Sequence, residues 1–498
     1  MVLDGRAGRC AKRNLAVKSE RINEFYLAFR DGVPGGIFAS EAMRIEKNAV
    51  GELDTILALE KCYAGLFERN PEFFGGDAPA FTGLSISPDF HKGSGVPIGT
   101  TLRTDNVCIP ALMGGDIGCG MLFIHTDIPS GEVAKIRKDL MRELRRIFFE
   151  GARDLPLFAD EVKELFARGL SALAGQLRER HGGSLWARLA DISGVSWQTA
   201  DFAGAVFGQL ADFSGVSRSA HLGSIGGGNH FVEIQSIDRI FEHTPIRKGC
   251  LGVMVHSGSL SLGKAAGMYL HDRLRAIYPA GEAKPPGSFY PLPLSEKSEH
   301  YRFACALLGL VRNVLNFASA NRVVLGLMVE EAFSRCGVRG RFVILHDAAH
   351  NVMGPYDDGV ETTMVHRKGS TPAELMQPVI IPGSMGTASY ILRGFGSEQG
   401  LRSAAHGAGR AVSRQNTMRG GDDGFEDFFA RNTVVAPVDF QQLRIAKRWD
   451  ILKEKTRELR QEAPAAYKDI EETIRVTEGA GIAGRVARLS PLLTVKQI

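Results

Sequence analysis

The feature that most constrains this chain is the glycine-rich stretch MGGDIGCGML at residues 113–122. It surrounds Asp116 and Cys119, which lie three positions apart, with four glycines. Glycine is used where a backbone turns tightly or approaches a ligand closely, and it weakens helices and strands. A carboxylate and a thiol presented in this way suit a metal ion. The alternative is an ordinary turn in which Cys119 is a small buried apolar group.

Similar settings recur along the chain, each with a metal-capable side chain at the end of an apolar run and beside a small residue. They are GSIGGGNHFVE with His230, VMVHSGS with His256, ILHDAAHN with His346 and His350, and AAHGAGR with His406. A single histidine is more often structural than a ligand, but five in similar settings indicate one shared site. Imidazole and thiolate suit zinc, manganese, iron or cobalt. Together with Asp116 and Cys119 the set exceeds the needs of one tetrahedral zinc, so we predict two metal ions with the sulfur between them.

Two further stretches suggest a nucleotide. IPGSMGTASY offers backbone N–H groups together with Ser384 and Ser389, although it lacks the GxxxxGK[ST] pattern of a Walker loop. HGAGR allows the backbone to approach an anion, and Arg410 supplies positive charge. Taken alone, each stretch is also compatible with an ordinary glycine turn.

Composition excludes several classes of protein. The chain has 44% hydrophobic and 23% charged residues with a formal net charge of +4, which excludes a generally polybasic binder but permits a local basic groove. Seven scattered cysteines do not form the pattern of a disulfide framework, so a cytoplasmic location is expected. We expect no signal peptide, no apolar run that approaches the length of a membrane span, and no membrane partner.

The order of apolar patterns predicts a single intertwined α/β (α+β) domain. Residues 1–80 are interpreted as an N-terminal extension with one helix in AMRIEKNAVGELDTILALEKCYAGLF, and residues 81–498 as the main domain. Residues 129–218 are interpreted as a helical insertion. Its amphipathic pattern, with steps of three and four, is formed by Val133, Ile136, Leu140, Leu144 and Phe148.

Strand-like runs return after this insertion. LGVMVHSG and RFVILHDAAHN flank a helical stretch around residues 296–336, and PVIIPGSMGTASYILRG reads as strand, turn and strand. The last sixty residues are expected to be mainly helical before they end on PLLTVKQI.

Together these stretches resemble the RtcB family, the GTP- and manganese-dependent tRNA-splicing RNA ligases. The similarity extends from about Phe81 to the C-terminus. It is carried, in order, by PDFHKGSG, GGDIGCGM, GGGNHFVE, HSGS, AHN, HRKG, IPGSMGTASYI, HGAGR, EAPAAYKDI and the lysine of TVKQI. The resemblance implies an RtcB-like α/β fold with a central cleft for metal and nucleotide.

The resemblance also implies roles for individual residues. His406 matches the family histidine that becomes covalently guanylylated. The residues that match the ligands of two Mn²⁺ ions are Asp116 and His230 on one ion, His256 and His350 on the other, and Cys119 as the bridge. The residues that match the GTP pocket are Asn229, His230, Phe231, Val232, Glu233, His350, Asn351, Pro382, Gly383, Ser384, Met385, Ser389, His406, Gly407, Ala408, Gly409, Tyr467 and Lys496.

The implied activity is the ligation of RNA ends. In the family scheme a 2′,3′-cyclic phosphate is opened to a 3′-phosphate, GMP passes to it from the histidine, and an RNA 5′-hydroxyl then releases GMP. Three alternatives stay open: a divergent paralogue that repairs particular nicked RNAs, a non-catalytic RNA-binding protein, and a metallophosphoesterase. The last would need neither His406 nor Lys496.

The chain departs from the family pattern at three places. Leu260 stands where the usual HSGSRG has arginine. Alanines precede His406, where the family usually has a cysteine-containing segment. The residues NVMGPYDDG follow His350 without the usual spacing of acidic residues. These departures affect the expected recognition of RNA ends more than nucleotide activation. We expect Lys264 to compensate for Leu260 if a helix begins there. Removal of the last three residues is expected to weaken nucleotide binding and to leave thermal stability nearly constant.

Overall fold

The computed structural model describes residues 18–152, 159–181, 188–189, 193–198, 222–357, 360, 362–412, 417 and 432–498. Helices and sheets alternate throughout these residues, and the predicted α/β class is confirmed.

The described strands are β1 (Ser19–Asn23), β2 (Tyr26–Phe29), β3 (Gly35–Phe38), β4 (Ala80–His91), β5 (Ile98–Asp105), β6 (Val107–Cys108), β7 (Gly120–Pro129), β8 (Phe231–Ile240), β9 (Cys250–Ser257), β10 (Leu292–Pro293), β11 (Phe342–Ala349), β12 (Asn351–Pro355), β13 (Thr363–Lys368), β14 (Ser370–Pro372), β15 (Pro378–Ile381), β16 (Ser389–Gly394), β17 (Ser403–Ala405), β18 (Val434–Val435) and β19 (Ala483–Val495). The described α-helices are α1 (Lys47–Arg69), α2 (Glu132–Phe149), α3 (Ala159–Arg168), α4 (Ala174–His181), α5 (Leu260–Ile277), α6 (Tyr301–Arg335), α7 (Phe440–Ile445), α8 (Trp449–Arg460) and α9 (Ile470–Gly479).

Two large sheets carry or directly adjoin most of the predicted metal ligands. One has the strand order β1-β2-β3-β4-β5-β13-β12, in which β3 and β4 are parallel. The other has the order β11-β7-β9-β8-β19-β16-β15, with β18 parallel to β19 at its side. The strand β19 therefore joins the part of this sheet that ends at β8 to the part that begins at β16.

The N-terminal segment is built into the first sheet. Strands β1 to β3 extend the sheet beside β4, and α1 buries its apolar face against the same strands in a core that includes Leu53, Ile56, Leu84 and Leu102. The predicted helix in this segment is confirmed, with its start at Lys47. Residues 1–17 of the predicted extension lie outside the described residues.

Helix α6 lies at the centre of the largest core. It is long and apolar enough to cross a membrane by length and composition, yet 72% of its most apolar window is buried inside the fold. The expectation that no apolar run approaches this length is therefore wrong. The apolar character of α6 is explained by packing against strands β7, β9 and β11 on one side and helices α2 and α3 on the other.

The described part of the predicted insertion contains helices α2, α3 and α4, whereas its residues 193–198 are not helical. In α2, Val133, Leu140, Leu144 and Phe148 are buried and Ile136 packs against them, in the same core as α6. The interpretation of residues 129–218 as an insertion stays a prediction, and much of the segment lies outside the described residues.

The strand predictions from LGVMVHSG, RFVILHDAAHN and PVIIPGSMGTASYILRG are confirmed as β9, β11 and the β15–β16 pair. The C-terminal prediction was incomplete, because the helices there are followed by the thirteen-residue strand β19. Its pairing with β8 shifts register between Arg488 and Leu489 and again between Pro491 and Leu493. These irregularities interrupt the simple alternation by which a strand is recognised.

Candidate active site

The predicted metal ligands come from the ends of adjacent strands. Cys119 immediately precedes β7, His230 immediately precedes β8, and His256 lies in β9 between them. His350 occupies the single position between β11 and β12. The backbone N–H of His350 donates to the carbonyl of Cys119 at 2.8 Å, which ties the fourth segment to the first.

The side chains of these residues converge on the Cys119 sulfur. The distances from Sγ to Nε2 are 3.3 Å for His230, 3.2 Å for His256 and 3.2 Å for His350. Oδ2 of Asp116 lies 3.0 Å from Nε2 of His230, and Nε2 of His256 lies 3.3 Å from Nε2 of His350. The structure thus brings all five predicted ligands together, which we call the Cys119 cluster.

The cluster fits a metal ion by its chemistry. The donor atoms of Cys119, His230 and His256 all lie within 4.8 Å of one another, and Oδ1 of Asp116 is buried without a hydrogen-bond partner among the described residues. Burial lowers the pKa of His256 and His350 well below the usual range, so both imidazoles are neutral. Burial and the neighbouring Asp116 raise the pKa of the Cys119 thiol. A bound cation would favour the thiolate, because a metal competes with the proton for sulfur.

Helix α6 supports this cluster through a fully buried arginine. Arg322 forms a two-fold ion pair with Asp347, at 2.5 and 2.8 Å, and donates to the carbonyls of Gly118 at 2.7 Å and Ser257 at 3.1 Å. Gly118 adjoins Cys119 and Ser257 adjoins His256 in the sequence. Arg322 therefore holds the two ligand-bearing segments at a fixed spacing.

The preceding residue adds to the same support. Asn321 donates from Nδ2 to the carbonyls of Ser224 at 3.0 Å and Gly258 at 3.1 Å, and its Oδ1 accepts from the N–H of Gly223 at 2.7 Å. The glycine-rich segment that leads to His230 is thereby tied to the segment that follows His256.

His406 lies beside the cluster with a fixed ring orientation. Its ring centroid is 4.6 Å from that of His350, and its Nδ1 lies 2.5 Å from Oδ2 of Asp89. Burial raises the pKa of Asp89, but attraction to His406 and hydrogen bonds from His406 and Ser87 outweigh this effect, so the net pKa is lowered. An ionised Asp89 accepts the proton-bearing Nδ1, which leaves the lone pair on Nε2.

A cavity of about 450 Å³ opens next to His406 and His256. Glu233 lines it, with Oε1 accepting from Thr494 at 2.7 Å and Oε2 accepting from Gln235 at 2.6 Å. Burial raises the pKa of Glu233 to about 7. The buried ammonium of Lys496, which also lines the cavity, donates to the carbonyls of Gly228 at 2.6 Å and His230 at 3.1 Å.

Comparison with known proteins assigns the chain to a family. The family model described as tRNA-splicing ligase RtcB matches residues 78–497. The RNA-splicing ligase RtcB of Mycobacterium tuberculosis is 30% identical over 439 residues, which cover 82% of this chain and 95% of the relative. The tRNA-splicing ligase RtcB of Thermococcus kodakarensis is 31% identical over 468 residues, which cover 82% of this chain and 87% of the relative. The chain belongs to the RtcB family. The resemblance inferred from its motifs is confirmed.

Most residues predicted for the RtcB nucleotide pocket line the cavity. These are Asn229, Phe231, Glu233, Pro382, Gly383, Ser384, Met385, His406, Gly407, Ala408, Gly409, Tyr467 and Lys496. The residues that do not line it are His230, Val232, His350, Asn351 and Ser389.

The side chains outside the lining have other contacts. Asn351 donates to the carbonyl of Asp116 at 3.0 Å and accepts from the N–H of Gly369 at 2.9 Å. Ser389 accepts from the N–H of Gly383 at 3.2 Å and from Gln235 at 3.0 Å. Ser389 therefore supports the cavity wall at Gly383, whereas Asn351 holds the backbone of Asp116 beside the Cys119 cluster. His346, whose sequence setting resembled those of the ligands, instead lies 3.3 Å from Gln377 through Nε2 and is not part of the cluster.

Sequence reasoning missed several residues of the site. Asp89 and His91 lie in the PDFHKGSG motif and Lys368 in HRKG, and no role was predicted for them. His91 and Lys368 line the cavity, and Nδ1 of His91 lies 2.7 Å from the carbonyl oxygen of Asp89. These three residues could have been identified because their motifs are among those that the chain shares with the RtcB family. Arg322 had no such signal, since it lies in an apolar helix.

A second cavity, of about 750 Å³, opens on the other side of the cluster and is lined by Asp116 and His230. Leu260 and Lys264 line it as well. Helix α5 begins at Leu260, as the compensation hypothesis required, and Lys264 lies one turn further on in the same wall. Leu260 has a φ of +56°, a left-handed value that is unfavourable for a branched side chain.

The alanines before His406, Ala404 and Ala405, are fully buried in β17, which pairs with β14. Nothing in the structure explains why they replace the usual cysteine. Six cysteines, those at positions 62, 108, 119, 250, 305 and 336, are free in the part of the chain that the structure describes.

Proposed function

We propose that this chain is an RNA ligase that joins RNA 2′,3′-cyclic phosphate or 3′-phosphate ends to 5′-hydroxyl ends, with GTP and two Mn²⁺ ions. Membership of the RtcB family supports ligase activity and RNA as the substrate. The observation that carries the mechanism is the position of His406, which is held by Asp89, lies beside the Cys119 cluster and lines the nucleotide cavity.

His406 is the proposed nucleophile. Its Nε2 lone pair forms a bond to the α-phosphorus of GTP, and the bond from that phosphorus to the bridging oxygen breaks, so pyrophosphate leaves. The Nδ1 proton stays in the hydrogen bond to Asp89, which stabilises the positive charge that develops on the ring. The product is a histidine–GMP phosphoramidate.

The next two steps transfer the GMP and seal the RNA. An oxygen of the RNA 3′-phosphate attacks the α-phosphorus and the phosphorus–nitrogen bond breaks, which regenerates neutral His406. The RNA 5′-hydroxyl then attacks the 3′-phosphate, and GMP leaves with the bond electrons. The cluster of Asp116, Cys119, His230, His256 and His350 would hold the metal ions, whose chemistry is to neutralise charge on the phosphoryl oxygens.

The cavity wall opposite His406 would select guanine. Glu233 offers carboxylate acceptors that match the N–H donors on the guanine edge, whereas adenine presents a ring acceptor at the corresponding position. The buried ammonium of Lys496 stabilises the ionised form of Glu233. Because Cys119 acts as a thiolate ligand in this proposal, we place the enzyme in a reducing compartment such as the cytoplasm.

The proposal is tested by incubating the protein with α-³²P-labelled GTP and Mn²⁺, followed by ligation of RNA that carries 2′,3′-cyclic phosphate and 5′-hydroxyl ends. We expect the protein to carry a label whose bond is acid-labile and alkali-stable. We expect His406→Ala to lose this label. The matched control is His243→Ala, which removes an exposed histidine and should label normally. Persistent labelling of His406→Ala would refute the assignment of the nucleophile.

A second candidate is an RtcB ligase restricted to particular nicked RNAs. It is favoured by Leu260, which gives the second cavity an apolar wall where the family usually has arginine. Efficient ligation of a structured, nicked RNA together with poor ligation of simple oligonucleotide ends would support this candidate. Equal ligation of both substrates would exclude it.

A further inference from the structure

The N-terminal segment, residues 18–77, lies outside the family match that begins at residue 78. It nevertheless contributes to the nucleotide cavity, because Glu46 lines it. Glu46 is the N-cap residue of α1, yet its side chain forms no cap to that helix. The carboxylate is directed instead to a loop of the main domain, residues 92–95.

This loop has the sequence KGSG and connects β4 to β5. Its glycines are required by the backbone path. A Cβ at Gly93 would lie 1.9 Å from the carbonyl oxygen of Val96, and Gly95 has a φ of +84°. A loop of this kind has little intrinsic rigidity, since glycine adopts many backbone conformations.

Two carboxylates of the N-terminal segment hold the loop in place. Glu46 Oε2 accepts from the N–H of Lys92 at 2.9 Å. Glu52, in α1, accepts from the N–H groups of Gly93 at 2.7 Å and Gly95 at 3.0 Å through its two oxygens. Hydrogen bonds to an ionised acceptor are stronger than those between neutral groups, so the three contacts fix the loop conformation.

The fixed loop presents Lys92 and Ser94 to the cavity. The loop lies near His406, because Lys92 follows Asp89 by three residues and Oδ2 of Asp89 lies 2.5 Å from Nδ1 of His406. Among the described residues, the Lys92 side chain has no ion-pair partner. Lys92 and Lys368 thus add positive charge to the end of the cavity where the α-phosphate must approach His406.

We propose that Lys92 contacts the phosphate chain of the nucleotide and that Glu46 and Glu52 position it through the loop. This inference rests on the proposed function. It assigns a nucleotide-binding role to the N-terminal segment, in which Lys92 is a binding residue and the two glutamates are positioning residues.

The first test compares ligands that differ only in phosphate. Equilibrium binding of GTP and of guanosine is measured for wild type and Lys92→Met, which keeps the length of the side chain and removes its charge. We expect roughly tenfold weaker binding of GTP and unchanged binding of guanosine, since only the phosphates meet the ammonium. Equal weakening of both ligands, or no change in either, would overturn the contact.

The second test examines positioning with a double-mutant cycle. Glu52→Gln can no longer accept from both Gly93 and Gly95, so we expect a severalfold weaker affinity for GTP with an unchanged melting temperature. In the Lys92→Met background the same substitution should have no further effect on GTP affinity. Glu68→Gln is the matched control, because Glu68 is exposed on α1 about 24 Å further along the helix, at 1.5 Å per residue.

Additive effects of the two substitutions would show that Glu52 acts on the fold alone and would overturn the positioning role. The failure of the proposed function is a separate result. Normal GTP binding without any labelled adduct would refute the ligase mechanism, while the binding data would still decide whether Lys92 contacts phosphate.

Discussion

Two cavities lie beside the Cys119 cluster, and their walls are built differently. In the nucleotide cavity, buried groups such as Glu233 and Lys496 already have hydrogen-bond partners that fix their positions. In the second cavity, Lys264 is exposed, and Oγ of Ser261 is buried without a hydrogen-bond partner in the part of the chain that the structure describes. The nucleotide cavity therefore contains buried ionisable groups that hydrogen bonds hold in place, whereas Leu260 and Lys264 give one wall of the second cavity an apolar side chain and an exposed lysine. Under the proposed function, this contrast would separate nucleotide activation in the first cavity from recognition of the RNA strand in the second, where Leu260 departs from the family pattern.

The largest effect should come from the cluster that both cavities share. Cys119→Ser replaces a soft thiolate with a poor neutral ligand for these metals. We expect metal content and guanylylation both to be lost, a larger effect than the roughly 10- to 100-fold cost of removing an outer-shell partner. Metal analysis and adduct labelling measure the two outcomes, with the exposed Cys305→Ser as the control. Unchanged metal stoichiometry would contradict the bridging role.

Substitutions at Arg322 test whether its support of the Cys119 cluster can be separated from its contribution to the stability of the fold. Arg322→Met leaves Asp347 buried and unpaired, which should lower the free energy of unfolding by about 3–5 kcal/mol. In the double variant Arg322→Met/Asp347→Leu no unpaired charge remains, so most of this stability should return. Mn²⁺ affinity should stay roughly 10- to 100-fold below wild type, because Gly118 and Ser257 lose their shared donor. Wild-type metal affinity in the double variant would show that Arg322 acts only on folding.

The divergent wall of the second cavity can be changed without altering the nucleotide cavity. Leu260→Arg introduces a bidentate phosphate donor, and a charge-assisted hydrogen bond contributes about 1.5 kcal/mol or more, which corresponds to about tenfold in ligation of simple RNA ends. Guanylylation should not change. Lys264→Met should lower ligation and leave guanylylation intact. If neither substitution alters ligation, this wall does not contact the RNA.

The smallest effect concerns the titration of Glu233 in the nucleotide cavity. Its pKa rises from 4.5 to about 7 on burial, so the native state retains a proton that the unfolded state has released. Stability should therefore fall between pH 4.5 and about 7, relative to Glu233→Gln, and show no further loss above that range. GTP affinity should rise about threefold from pH 6.5 to 7.5 as the carboxylate ionises. A flat affinity profile in wild type would exclude Glu233 as an ionised guanine acceptor.

The pattern of a metal-capable side chain beside a small residue at the end of an apolar run included all five residues of the Cys119 cluster, but it also included His346, and the family resemblance was needed to select the five. The partners that orient these ligands left no comparable pattern. Asp89 meets His406 across 317 positions, and Arg322 meets Gly118 across 204 positions, so no local spacing reports either contact. Fold class and family were also predictable, whereas β19 was not, because its register shifts conceal the strand period.

The burial of the Lys496 side chain could not be predicted from its position near the C-terminus. A terminal lysine is usually solvated, but this one is buried and donates to two carbonyls, and its N–H donates to the carbonyl of Val435 at 2.9 Å. The structure revises the expectation for the three-residue truncation, which should lower the melting temperature as well as nucleotide affinity. Lys496→Met is therefore the more selective probe of the pocket.

The place of β19 in its sheet has a consequence for biosynthesis. On the ribosome, β7, β8, β9 and β11, which carry or flank the predicted metal ligands, are made long before β19 joins β8 to β16. Pairing of such distant segments is slow, because the chain between them must first be ordered. A nascent chain can therefore assemble the metal-binding half while Thr494 and Lys496 are still missing from the nucleotide wall. Under the proposed function, metal binding would then precede nucleotide binding, and an incomplete chain would bind metal before its nucleotide cavity is complete.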